Sequence, residues 1–175
     1  MAVIEAIQSL YLESDVTTVT MDGIPGTYEH LQLRFTHRNT YPTTGTGNYM
    51  RFGSTVTGID TGPNYNGNWM YGGTSSAADY RQANQNYIEL QVTGTHNRTS
   101  EYMACVMNIY DYANTNKNTA FEWFNNKVPS ASYYMMMGGG FWNSAFAVDR
   151  ISWIQAGSYD LQRGSEITIY GIKSS

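Results

Sequence analysis

His30-Leu-Gln-Leu-Arg-Phe-Thr36 is the stretch whose period decides the fold class. Leu31, Leu33 and Phe35 recur at every second position, with Gln32, Arg34 and Thr36 in the gaps. A strand puts these two sets on opposite faces, whereas a helix would scatter the apolar three around its circumference. The same period runs through Tyr87-Ile-Glu-Leu-Gln-Val-Thr93, which turns Ile88, Leu90 and Val92 inward, and through the Thr/Val strand from Val16 to Met21. Glu101 to Tyr112 is apolar on both faces (Met103, Cys105, Met107 and Ile109 against Tyr102, Ala104, Val106 and Tyr110) and reads as a central strand.

Turns punctuate these strands. Gly94-Thr-His-Asn-Arg-Thr99 reads as a hairpin, and Asn114-Thr-Asn-Lys-Asn118 as a second one leading into Thr119-Ala-Phe-Glu-Trp-Phe124. Arg150-Ile-Ser-Trp-Ile154 and Glu166-Ile-Thr-Ile-Tyr170 flank Gly157 to Gly164 as a further expected hairpin. Between Tyr41 and Ala83 the alternation fades into Gly, Asn, Thr and Tyr, which predicts long surface loops holding one or two short strands.

Composition agrees with the pattern. Only 14% of the 175 residues are charged, so polarity rests on Thr, Ser, Asn, Gln and Gly, which suit pleats and corners better than helices. No linker or repeat divides the chain. The expectation is one domain over residues 1–175: all-β, a two-sheet antiparallel β-sandwich of jelly-roll type.

The net charge of −4 and the scattering of the ten Lys and Arg argue against binding nucleic acid, which needs clustered cations. One cysteine, Cys105, excludes an intramolecular disulfide, and its place among Met and Ala predicts burial rather than reactivity. Met1-Ala-Val-Ile-Glu lacks the form of a secretory signal, and no window approaches the roughly 18–20 apolar residues of a membrane helix. The expectation is a soluble protein made in a cytoplasm, with no membrane partner.

Two segments resemble structural proteins of tailed bacteriophages. Thr18-Val-Thr-Met-Asp-Gly-Ile-Pro-Gly-Thr-Tyr-Glu-His-Leu-Gln-Leu-Arg34 is similar to their pattern of a strand running into Ile-Pro-x-Thr-Tyr and then Leu-x-Leu-Arg. Gly164-Ser-Glu-Ile-Thr-Ile-Tyr-Gly-Ile-Lys173 resembles their carboxyl end, and together the matches cover about a quarter of the chain. The residues that carry the likeness are Ile24, Pro25, Tyr28, Leu31, Leu33, Arg34, Tyr170 and Gly171. The resemblance implies a virion role on the particle exterior: a capsid decoration or cement protein, a head fibre or a tail module. Such proteins often form homotrimers, with major capsid or other virion proteins as partners.

The motif residues have local roles of their own. Pro25 fixes its own φ and pushes Ile24 towards extended backbone, so Ile24 to Thr27 turns the chain between two strands. Tyr28 packs its ring at the sandwich edge with its hydroxyl free to bond. The final strand closes a sheet with Ile167 and Ile169 on one side and Thr168 and Tyr170 on the other. Gly171 allows a bend or close approach.

Chemistry-bearing motifs are sparse. His30, His37 and His96 stand apart without metal-like companions, and no nucleophile elbow or phosphate loop occurs. No catalytic residue, cofactor or metal is expected. A paired-carboxylate glycosidase would use Glu122, the acid with the most apolar neighbours; the plainer reading turns Glu122 to solvent with Phe121 and Trp123 inward. Asn97-Arg-Thr99 has the form of a glycosylation sequon. The segment Tyr133, Tyr134, Met135, Met136, Met137, then three glycines, Phe141 and Trp142, reads equally as a buried strand with a glycine bend or as a subunit contact. In Asn64 to Tyr71, Trp69 and Tyr71 with Asn68 suit either a packed loop or the stacking of a host sugar. The function expected is assembly on a phage particle through protein contacts. The alternative is a tail or head-fibre module that binds host surface carbohydrate.

Overall fold

The computed structural model describes residues 3–42, 47–74, 76–91, 101–127 and 133–173. Among them there is no helix. The strands are β1 (Val3–Tyr11), β2 (Thr18–Asp22), β3 (His30–His37), β4 (Gly47–Ser54), β5 (Gly58–Ile59), β6 (Tyr65–Gly73) and β7 (Ala77–Gln85), then β8 (Ile88–Gln91), β9 (Met103–Tyr110), β10 (Thr119–Lys127), β11 (Tyr134–Trp142), β12 (Arg150–Gln155) and β13 (Glu166–Lys173).

They form two antiparallel sheets. The larger has eight strands in the order β1-β13-β3-β9-β10-β11-β6-β7; the smaller has five, β2-β12-β4-β5 with β8 also paired to β4. The chain changes sheet at every connection except the hairpins β4–β5, β6–β7, β9–β10 and β10–β11. That alternation is the jelly-roll winding, and it bears out the expected all-β sandwich.

Burial follows the period-two pattern strand by strand. Leu31, Leu33 and Phe35 of β3, Met103 to Ile109 at odd positions of β9, Phe121 and Trp123 of β10, and Ile167 and Ile169 of β13 line the inner face of the large sheet. Val19 and Met21, Met50 and Phe52, Ile88 and Leu90, and Ile151 and Trp153 face them from the small sheet. Trp153 is fully buried, so truncating it to Ala would cost roughly 3–5 kcal/mol. Cys105 is buried in this layer, and burial pushes its thiol pKa up.

Several expectations need correction. Residues 41–83 hold four strands, β4 to β7, rather than long loops. Their alternation is masked because Gly67 and Gly73 occupy inward positions of β6, and because β7 lies at the sheet edge, where its inward residues need not be apolar. β12 and β13 do not form a hairpin; they belong to opposite sheets. β8 and β9 are likewise in opposite sheets, and the turn expected at 94–99, with Val92, His96 and the sequon at 97–99, lies outside the described residues. β13 is not the closing strand, since β1 pairs beyond it. β9 is central as expected, but one of its faces meets solvent instead of a second layer.

The terminal motifs meet in space. Ile24 is buried, and Pro25 carries the β2–β3 turn after Gly23, whose φ of 72° needs a glycine-like conformation. The Tyr28 ring lies over Gly171, where a Cβ would overlap it, and the Tyr28 hydroxyl donates to Glu5 Oε2 at 2.8 Å. Lys173 Nζ sits 4.7 Å from the same ring. Tyr112 OH donates to the Pro25 carbonyl and fastens the turn to the β9–β10 corner. The close approach at Gly171 is thus made by the Tyr28 ring, a side chain, rather than by another stretch of backbone.

Candidate functional site: the outer face of the large sheet

The outer face of the large sheet has no second layer among the described residues, so its side chains can be read row by row from the register. One row is polar: Gln32 on β3, Asn108 on β9, Glu122 on β10, Gly139 on β11, Asn68 on β6 and Arg81 on β7. The next row is apolar at its centre: Val106, Phe124, Met137 and Met70, from β9, β10, β11 and β6. Met135 and Phe141 flank it along β11. These six side chains are bare, from 39% exposed at Val106 to 57% at Met135. Monomers seldom leave such contiguous apolar surface uncovered.

The two rows frame a groove of about 420 Å³. Gly139 supplies the dip, because no side chain rises between Glu122 and Asn68. Asn68, Asn108 and Glu122 make the polar wall; Met70, Val106, Phe124 and Met137 make the apolar one.

A hydrogen-bond chain fixes the polar wall. Arg34 Nε donates to Gln32 Oε1 at 2.8 Å, Gln32 Nε2 to Asn108 Oδ1 at 2.9 Å, and Asn108 Nδ2 to Glu122 Oε1 at 3.0 Å. Tyr110 OH donates to the same Glu122 oxygen. These donors, Tyr110 first and then Asn108, hold the Glu122 carboxyl below its ordinary pKa, while Glu122 raises that of Tyr110. Arg34 also lies 4.7 Å from the Tyr170 ring. Glu122 is therefore an ionised acceptor held by two donors on Oε1, and Phe121 and Trp123 beside it point into the core.

The residues singled out in the sequence divide by strand parity. On β11, Met135, Met137 and Phe141 are exposed, whereas Met136 and Trp142 are buried and Tyr134 packs against the core. Tyr133, just before the strand, is exposed. The expected glycine bend is absent: β11 pairs without interruption with both neighbours across Gly138, Gly139 and Gly140. Gly138 is needed because a Cβ there would lie 2.6 Å from Trp69 Cβ and 2.8 Å from the Trp123 ring.

Trp69, Tyr71 and Asn68 lie on β6 and not on a loop. Trp69 is buried, stacked on Tyr80 with ring centroids 4.3 Å apart, and Tyr71 is half-buried between Tyr80 and Tyr134. Only Asn68 of the three lies on the outer face. Sequence reasoning missed Phe124, Met70 and Val106 as surface residues. The register that sets them beside Met137 joins strands distant in the chain.

Comparison of the chain with protein-family models, curated proteins and solved structures finds no match in any of the three. The surface must be read from its own chemistry. Among the described residues no group of His, Cys, Asp and Glu is arranged to hold a metal ion. Among the described residues Glu122 is the only carboxylate lining the groove.

Proposed function

We propose that this chain is a non-enzymatic structural protein of a bacteriophage virion, placed on the particle exterior as a capsid decoration or cement protein and acting as a homotrimer. The bare stripe of Val106, Phe124, Met137 and Met70 on the large sheet carries this reading, since adjoining exposed apolar side chains rimmed by polar ones mark protein–protein contact surfaces. The jelly roll, an architecture used by viral capsid domains, supports it, as does the phage-like pattern of the terminal motifs. A three-copy assembly would bind a shell by avidity, multiplying weak contacts. The groove is poorly suited to glycoside hydrolysis, which uses two carboxylates with one kept protonated; among the described residues this one has a single carboxylate, held ionised.

Particles purified with and without the protein test the reading. Its presence should add a surface feature in the particle density and raise the temperature at which the genome is released. Particles identical in density and heat resistance would refute it.

A second reading, a tail or head-fibre module for host carbohydrate, draws on one observation. Asn68, Asn108 and Glu122 line the groove beside the Phe124 ring, an arrangement that suits hydroxyl groups and a stacked sugar face. It predicts a glycan-array signal that Phe124→Ala abolishes.

A further inference from the structure

Glu122 and Arg81 share one cross-strand row, with β11 and β6 between them. Three strand spacings put their Cα atoms on the order of 14 Å apart. That is too far for a direct contact, and no ion pair joins them. Among the described residues Glu122 takes only neutral donors, both on Oε1, and none on Oε2. Of the other large-sheet and corner cations whose side chains are described, Arg34 is engaged with Gln32 and Tyr170, Lys117 with Asp111, and Lys173 lies over Tyr28. Among the described residues Arg81 is the cation of the outer face that has no partner.

Covering the apolar stripe would strip water from Glu122, which adjoins it. A carboxylate desolvated in that way must meet a cation or oppose the contact. The chain carries such a cation on the edge strand of the same face, so a copy laid over the groove brings it along. We infer that the occupant of the groove is a second copy of this chain, with Arg81 of one copy pairing with Glu122 of the next. The inference rests on the self-assembly proposed above and names its contact. In a closed ring of three, each β7 edge lies over the groove of its neighbour. Met70 travels with Arg81, one row away on the adjoining strand, and meets the Met137 and Phe124 side of the groove. The charge pair then sets the register while methionine and phenylalanine supply the buried area.

Sedimentation of the full-length chain tests this, with circular dichroism as the check on folding. The wild type should assemble. Arg81→Glu, which leaves the groove untouched, and Glu122→Arg should each weaken the copy-to-copy contact by about thirtyfold or more. The double variant, with the charges exchanged, should recover most of the loss. Undiminished assembly of Arg81→Glu, or a double variant no better than the singles, would overturn the pairing and leave the self-assembly reading standing. A wild type that remains a single copy at every concentration would overturn both. A single copy whose groove binds a soluble glycan, with binding lost in Glu122→Gln, would assign the groove to carbohydrate instead.

Discussion

His37 should make the domain lose stability in mild acid, before most carboxylates titrate. Its imidazole closes β3 on the inner side, 1% exposed, stacked on Phe35 with centroids 5.1 Å apart. Nε2 lies 3.1 Å from Asn48 Nδ2, and Nδ1 has no partner. A charged ring would have to place a second N–H where nothing accepts it, and burial pushes the pKa from 6.5 to about 3. Below pH 6.5 the unfolded chain therefore binds a proton that the folded chain refuses. The sign follows: stability is full above pH 6.5 and falls as pH drops towards 3, by about 1.4 kcal/mol per pH unit. Two units below 6.5, at pH 4.5, the loss is about 3 kcal/mol. Urea unfolding followed by tryptophan fluorescence, at pH 7 and pH 4.5, measures it in the wild type and in His37→Gln. Whatever the substitution costs at pH 7, the wild type should lose about 3 kcal/mol more than the variant on acidification, because the carboxylates common to both cancel. Equal losses in the two proteins would refute the reasoning.

Three further substitutions probe the frame around the outer face. Gly140→Ala would drive a Cβ into the Asn66 carbonyl and to 2.7 Å from Gly67 Cα, both backbone, which cannot step aside. It should cost roughly 3 kcal/mol and lower Tm by about 6–12 °C. Gly72→Ala meets nothing within 4 Å and should stay within about 0.5 kcal/mol of the wild type. Asp60→Ala should cost roughly 2–4 kcal/mol in calorimetry, since Asp60 accepts from Trp142 Nε1 at 2.6 Å, Asn64 Nδ2 at 2.9 Å and the Gly62 amide at 2.8 Å. A neutral result would mean that water replaces it at the Trp142 indole.

Much of the fold was legible because most of its strands have one wet face and one dry one. Leu31, Leu33 and Phe35, or Ile88 and Leu90, cannot be both apolar and alternating without a sheet to bury them. The partnership of strands was less legible. A strict 2-residue period states which side chains share a face and nothing of which sheet a strand joins, so β12 and β13 read as a hairpin although a jelly roll carries the chain across the sandwich between them. Aromatic residues misled in the opposite way. Trp69 sits among Asn and Gly and looked like a loop residue, yet its inward parity on β6, under Tyr80 and above Gly138, buries it. The candidate surface was half visible: Met135, Met137 and Phe141 are outward on β11, but Phe124, Val106 and Met70 join them only through the register of four strands.

The same register explains why the stripe asks for a cover. A sheet with one face to water can carry polar side chains at its outward positions, and this one does so at Gln32, Asn108 and Asn126. In the adjacent row Phe, Met and Met take the places where Thr would serve a solitary domain as well. Only 14% of the residues are charged, so few like charges keep copies apart at high concentration. Bare methionine and phenylalanine beside a hydrogen-bonded carboxylate would be a liability on a free monomer. Against a complementary surface the same residues divide the labour, with the apolar row supplying adhesion and the fixed Glu122 rejecting any partner that fails to bring a cation to it.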